Sequence, residues 1–152
     1  MKAIFEIKNK SEKQVLLDLE ELSEKYNSSV KKEDQGEGHF ILTESKLQIV
    51  ERVEGDQIIV QVWGASEGDI QELSNYWGQP KKLIKEKPSP NDLAKEIIYI
   101  PNITEMKKNE LLELLEISEK DLDKYKRLID RLAQRKNVSD ELKKANEILK
   151  KF

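Results

Sequence analysis

The 152-residue chain contains no cysteine, which excludes disulfides, thiolate nucleophiles and every zinc site built on Cys ligands. Histidine is almost as scarce. His39 stands alone, so a typical zinc site lacks the second His or Cys it needs. No apolar run approaches the roughly 20 residues that span a bilayer, and the start, MKAIFEIKNK, holds too short an apolar run for a signal peptide. The glycines fall in neither the GxGxxG nor the GK[ST] spacing of phosphate-binding loops, and no nucleophile–base pair has a recognisable spacing. The expectation is a cytoplasmic protein that is not an enzyme, needs no cofactor or metal and does not engage a membrane.

Charge is what the chain has in abundance. Asp, Glu, Lys and Arg make up 38% of residues and hydrophobic residues 37%, with a net charge of -3. Residues 1–79 hold 9 basic and 16 acidic side chains, a balance of -7; residues 80–152 hold 18 and 14, a balance of +4. An acidic front and a mildly basic back predict two modules with different surfaces.

The front alternates between the two periods of secondary structure. Ile4, Phe5 and Ile7 make a short strand-like run. Ser11 and Gln14 form a capping-box pattern ahead of Val15, Leu19, Leu22 and Tyr26, the stripe of an amphipathic helix ending near Asn27. From Val30 to Trp63 the pattern is that of a β-meander, broken at Asp34–Gly38. Its clearest part is a hairpin in which Leu47, Ile49, Glu51 and Val53 alternate with Gln48, Val50 and Arg52, then turn at Glu54-Gly55-Asp56 into Ile58–Trp63. Ile70, Leu73 and Trp77 mark a second helix, beginning near Asp69 and stopped by Gly78 and Pro80. The predicted unit, residues 1–80, is an antiparallel sheet with two helices covering one face.

Residues 81–89 read as a linker, with Leu83-Ile84 able to form a brief strand and Pro88-Ser89-Pro90 as the boundary. Ser89 followed by Pro90 fits an N-cap and first helical position. Leu93, Ile97 and Ile100 then line a short helix, with a strand at 97–100 as the competing assignment. Asn102 and Glu105 can box the next helix, Ser118 caps another and Ser139 the last, so residues 90–152 form a small helical bundle. The fold class is therefore α+β, with an all-helical C-terminal module.

Residues 109–132 resemble a helix-turn-helix. A Leu-rich helix precedes the turn, Ile117-Ser118 supplies an apolar residue and a cap, and Leu122 follows four residues after Ser118. Two features depart from that pattern: Glu116 stands where Gly commonly permits the sharp turn, and the second helix opens on Glu119, Asp121 and Asp123, which repel phosphate. At about 100° per residue, Lys120, Lys124, Arg127, Arg131 and Arg135 share one exposed stripe, a row of donors suited to phosphates. Helix electrostatics explains the same residues, because acids lead, bases trail, and Asp123 and Asp130 lie close enough in sequence to pair with Lys124 and Arg127.

Three lesser sites complete the survey. Gly64–Asp69 precedes a helix start that could cradle an anion, although Ser66 or Asp69 more simply caps it. His39 has Glu37 and Glu44 nearby in sequence, and alternation puts Glu37 on its face, which leaves open a small ligand or a cation there. Trp63, Tyr76 and Trp77 cluster around one loop and helix, with Tyr76 and Trp77 as interface candidates. The function these features favour is a binding or regulatory protein acting through protein–protein contacts or self-association. The alternative is a nucleic-acid binder using the helix-turn-helix-like segment and its basic stripe.

Overall fold

In the computed structural model, which describes residues 1–32, 38–44, 47–84 and 87–152, the N-terminal strand lies inside the sheet and not at its edge. The elements are β1 (Lys2–Ile7), α1 (Glu12–Lys25), β2 (Val30–Lys32), β3 (His39–Leu42), β4 (Gln48–Glu54), β5 (Gln57–Trp63), α2 (Glu67–Trp77), β6 (Lys82–Ile84), α3 (Pro90–Ile98), α4 (Lys108–Leu115), α5 (Glu119–Ala133) and α6 (Asp140–Leu149). The strands form one antiparallel sheet in the order β2-β3-β4-β5-β1-β6. This is an α+β protein. It divides into two compact units, Met1–Lys85 and Glu86–Phe152.

In the first unit, strand alternation sends one set of side chains to a common face. Ala3, Phe5 and Ile7 of β1 lie opposite Val62, Val60 and Ile58 of β5. Ile49 and Glu51 of β4 continue these rows, as do Ile41 and His39 of β3. Val15, Leu19 and Leu22 from α1 and Ile70, Leu73 and Trp77 from α2 bury with the apolar members of that face. Each such side chain contributes about 1.5–3 kcal/mol. Phe5 and Trp77 meet edge to face with centroids 5.7 Å apart, and the Trp77 indole N–H donates to Asp18 of α1 at 3.2 Å.

Local chemistry sets the ends of these elements. Ser11 and Gln14 close a full capping box on α1, and Ser66 and Asp69 close one on α2. Gly55 takes φ +60° at the first of the two residues between β4 and β5, where a II′ hairpin turn needs a positive φ. The stretch read as a linker contributes β6, whose Leu83 lies opposite Ala3 of β1. The sheet thus extends beyond residue 80.

The second unit is helical. Ser89 caps α3 with Pro90 at its start, so the segment 97–100 is the end of a helix rather than a strand. Asn102 and Glu105 do not box the next helix. Asn102 is left-handed (φ 55°) and makes no side-chain cap bond, a single 3-10 turn spans Ile103–Glu105, and α4 begins only at Lys108. Asn tolerates the left-handed region better than most residues, which lets the chain change direction there. Buried Leu93 and Ile97, Leu111 and Leu115, Leu122 and Ile129, and Ala145 and Leu149 form the inner faces of α3, α4, α5 and α6. Tyr125 donates to the Pro88 carbonyl at 2.6 Å, and Asn146 of α6 donates to Asp130 of α5 at 3.2 Å.

Candidate functional site

The turn between α4 and α5 is built by backbone bonds. Ile117 N–H reaches the Leu112 carbonyl and Glu116 N–H the Glu113 carbonyl, each at 3.2 Å, the paired bonds of a Schellman ending. Glu116 occupies its left-handed position at φ 57°, the conformation that Gly normally supplies. Ser118 then accepts from Asp121 N–H at 3.1 Å and starts α5.

Along α5, the acids and bases have different fates. Glu119 receives Lys108 at 2.7 Å, and Asp121 receives Lys87 at 3.0 Å. Those ammonium groups hold both carboxyls below the usual carboxylate range. Asp130 accepts from Asn146 and, more weakly, from Gln134. Lys120, Lys124, Arg127, Arg131 and Arg135 are all exposed, and among the described residues none forms an ion pair. The expected pairs of Lys124 or Arg127 with Asp123 or Asp130 do not form. On a wheel of about 100° per residue, Lys120, Lys124, Arg127 and Arg131 occupy an arc of about 60°, and every carboxylate of the helix falls outside it. Arg135 lies beyond the helix, which ends at Ala133 with Gln134 as its C-cap, so the expected stripe does not extend to it as helix. Lys81 is engaged by Glu6 at 2.6 Å and Lys87 by Asp121; Lys85 lies outside the described residues.

A second constellation sits on the helix-covered face of the sheet. Strand register aligns Lys32, His39, Glu51, Val60 and Phe5 in one row across β2, β3, β4, β5 and β1. The first residue of α1, Glu12, completes a group in which one ligand atom each from Glu12, His39 and Glu51 lies within 4.8 Å of the others. Accessibility falls inward. Glu12 is exposed, the His39 side chain is 20% exposed and Glu51 is fully buried. His39 Nδ1 and Glu51 Oε2 are 2.9 Å apart. Glu51 Oε1 is buried and has no hydrogen-bond partner among the described residues. Burial pushes the Glu51 carboxyl up, against the opposing pull of His39.

The remaining sequence candidates have plainer surroundings. Ser66 N–H donates to Asp69 Oδ2 at 2.9 Å and Asp69 N–H to Ser66 Oγ at 3.1 Å, which takes up two of the amides at the helix start that could face an anion at Gly64–Asp69. Trp63 and Trp77 are buried. Tyr76 is half-buried beside Trp77, with Lys25 5.3 Å from its ring centre. Glu37 lies outside the described residues. Sequence reasoning passed over Glu12 and Glu51 as partners for His39. The usable signal was Glu51 itself, a carboxylate in phase with Leu47 and Ile49 on an inward face.

No protein-family model, curated protein or solved structure matches this chain.

Proposed function

We propose that this is a non-enzymatic binding protein whose helical unit engages the phosphate backbone of nucleic acid without reading base sequence. The observation that carries this reading is the unpaired stripe Lys120, Lys124, Arg127, Arg131 and Arg135. Helix electrostatics alone would let these bases pair with nearby acids, yet Glu119 and Asp121 are taken by lysines from outside the helix. From Lys120 to Arg131, over about 16 Å at about 1.5 Å per residue, the helical bases keep their charge available to phosphates, with Arg135 just past the helix end. Asp123 also faces solvent and stands about 80° from the centre of the stripe, which argues against base readout near the start of α5 and for contact further along.

The test is fluorescence anisotropy with labelled DNA and RNA, duplex and single-stranded, across a range of salt. Affinity is expected to fall steeply with salt and to vary little with sequence. The combined Lys124→Ala, Arg127→Ala, Arg131→Ala variant should bind weakly, with the salt slope reduced by about 0.9 for each duplex phosphate it no longer neutralises. No binding at about 50 mM salt to any of these nucleic acids overturns the proposal. A protein partner held through Tyr76 and Trp77 has less support, because Trp77 packs inward on Phe5. The exposed apolar residues Leu17, Val53 and Leu83 belong to three different elements.

A further inference from the structure

We propose that Glu12, His39 and Glu51 bind a divalent first-row transition-metal ion, of the Zn²⁺, Co²⁺ or Mn²⁺ type, at the junction of α1 with the sheet. The site is independent of the basic stripe on α5 and lies wholly within the first unit.

Two independent observations carry it. The first is convergence: three groups from three elements, one imidazole and two carboxylates, bring their ligand atoms within 4.8 Å of one another. The 2.9 Å between His39 Nδ1 and Glu51 Oε2 suits adjacent ligands of one ion. Two metal–ligand bonds of about 2.1 Å separate their donor atoms by about 3.0 Å at the angle of about 90° of an octahedral ion such as Mn²⁺, and by about 3.4 Å at the tetrahedral angle of Zn²⁺. The pair fits the first without movement and opens by about 0.5 Å for the second. The second is the unsatisfied Oε1 of Glu51, a carboxylate oxygen with no protein partner among the described residues, on a fully buried side chain. Buried polar atoms are nearly always paired, so each exception needs a cause. A cation neutralises the carboxylate, and it satisfies Oε1 as well when Glu51 chelates it through both oxygens, the mode this site therefore requires.

The rest of the cluster fits that role. Glu12 is exposed and forms no hydrogen bond or ion pair of its own among the described residues. The cap of α1 is already supplied by Ser11 and Gln14, so the Glu12 carboxylate is not needed there and can swing onto the ion. For all three groups to coordinate, His39 carries its proton on Nε2 and presents Nδ1 to the metal, and Glu51 is ionised. Three protein ligands with an exposed outer edge leave a position for water. The imidazole discriminates against Ca²⁺ and Mg²⁺, which prefer oxygen. Lys32 stands opposite His39 at the β2 end of the row, a positive charge in register with the site.

The test uses the tag-free, metal-stripped full chain, in which His39 is the one histidine. Isothermal titration with Zn²⁺ and Mn²⁺ should give one equivalent bound. Both imidazole carbon-bound proton signals should move or broaden in step with that equivalent, and Co²⁺ should develop a visible d–d spectrum. Glu12→Gln, a surface change, should weaken binding at least tenfold with an unchanged circular dichroism spectrum, and His39→Ala should abolish the Co²⁺ spectrum. If Glu51→Gln fails to fold, those two variants still decide the question. Absence of saturable binding overturns the proposal. So does binding whose affinity survives both Glu12→Gln and His39→Ala, or binding that leaves the His39 signals unmoved. Equal binding of Mg²⁺ or Ca²⁺ at the same stoichiometry would overturn the transition-metal assignment.

Discussion

His39 Nδ1 and Glu51 Oε2 face each other across β3 and β4 at 2.9 Å, and removing either partner leaves a different residue behind. His39→Ala leaves a fully buried carboxylate without its imidazole partner, which costs about 1–3 kcal/mol or more. Glu51→Leu removes the buried charge and leaves an imidazole whose side chain is 20% exposed and can meet water. That change should be close to neutral or stabilising. Both tryptophans belong to the first unit, so urea unfolding followed by their fluorescence measures the two variants there. A Glu51→Leu protein less stable than His39→Ala would contradict this ordering.

Glu116 holds the left-handed turn between α4 and α5 at φ 57°. Among the described residues the other non-glycine positions at positive φ are Asn27, Asn102 and Asn137, whose side chains tolerate that region; Glu has no such advantage. An L-residue there costs about 1–2 kcal/mol, and Gly returns part of the gain through its freer unfolded chain. Glu116→Gly is therefore expected to stabilise the helical unit by about 0.5–1 kcal/mol, measured by thermal unfolding at 222 nm. A drop in melting temperature would show that other interactions of the Glu116 side chain outweigh the strain.

Local rules made much of the fold legible, and pairing rules hid the Glu12–His39–Glu51 cluster. The start of α1 follows from Ser11 and Gln14, the β4–β5 hairpin from strict alternation around Gly55, and α3 from Ser89-Pro90. Each rests on residues a few positions apart. Glu12, His39 and Glu51 meet only because β3 pairs with β4 in one register while α1 begins above that row. Sequence proximity favoured Glu37 and Glu44 as neighbours of His39, whereas strand pairing selected Glu51. On α5, Lys120, Lys124, Arg127 and Arg131 share the exposed side that helical period gave them, while Arg135 falls past the helix end. Which acids would neutralise it depended on Lys108 and Lys87 arriving from outside the helix.

Those same two lysines give the helical unit a dependence on acid. Lys108 lowers the Glu119 carboxyl and Lys87 lowers that of Asp121, relative to their ordinary values. Folded values below unfolded ones mean the stabilisation is fully present above the unfolded pKa values, about 4. It is lost as pH falls through the folded values. The Glu119→Gln, Asp121→Asn variant should melt below the parent at pH 7, and the two should converge towards about pH 2–3. Both carboxylates are near the surface, so about 1 M salt should narrow the neutral-pH difference. A gap that stays constant from neutral to acid would assign the loss to packing or capping rather than to charge.

The unpaired stripe on α5 sets stability against binding in a way that one substitution can separate. Lys120 and Lys124, Lys124 and Arg127, and Arg127 and Arg131 are spaced four, three and four residues apart. Like charges at these spacings destabilise a helix by about 0.2–0.5 kcal/mol per pair. Lys124→Glu replaces two repulsions, with Lys120 and Arg127, by two attractions, against one new repulsion with Asp121 three residues before it. The variant should therefore melt at a slightly higher temperature than the parent at low salt, with the difference shrinking as salt rises. Its affinity for nucleic acid should fall, because a carboxylate would sit in the middle of the row of phosphate donors. A stripe that served only to stabilise the helix would lose stability on this change and leave binding as it was.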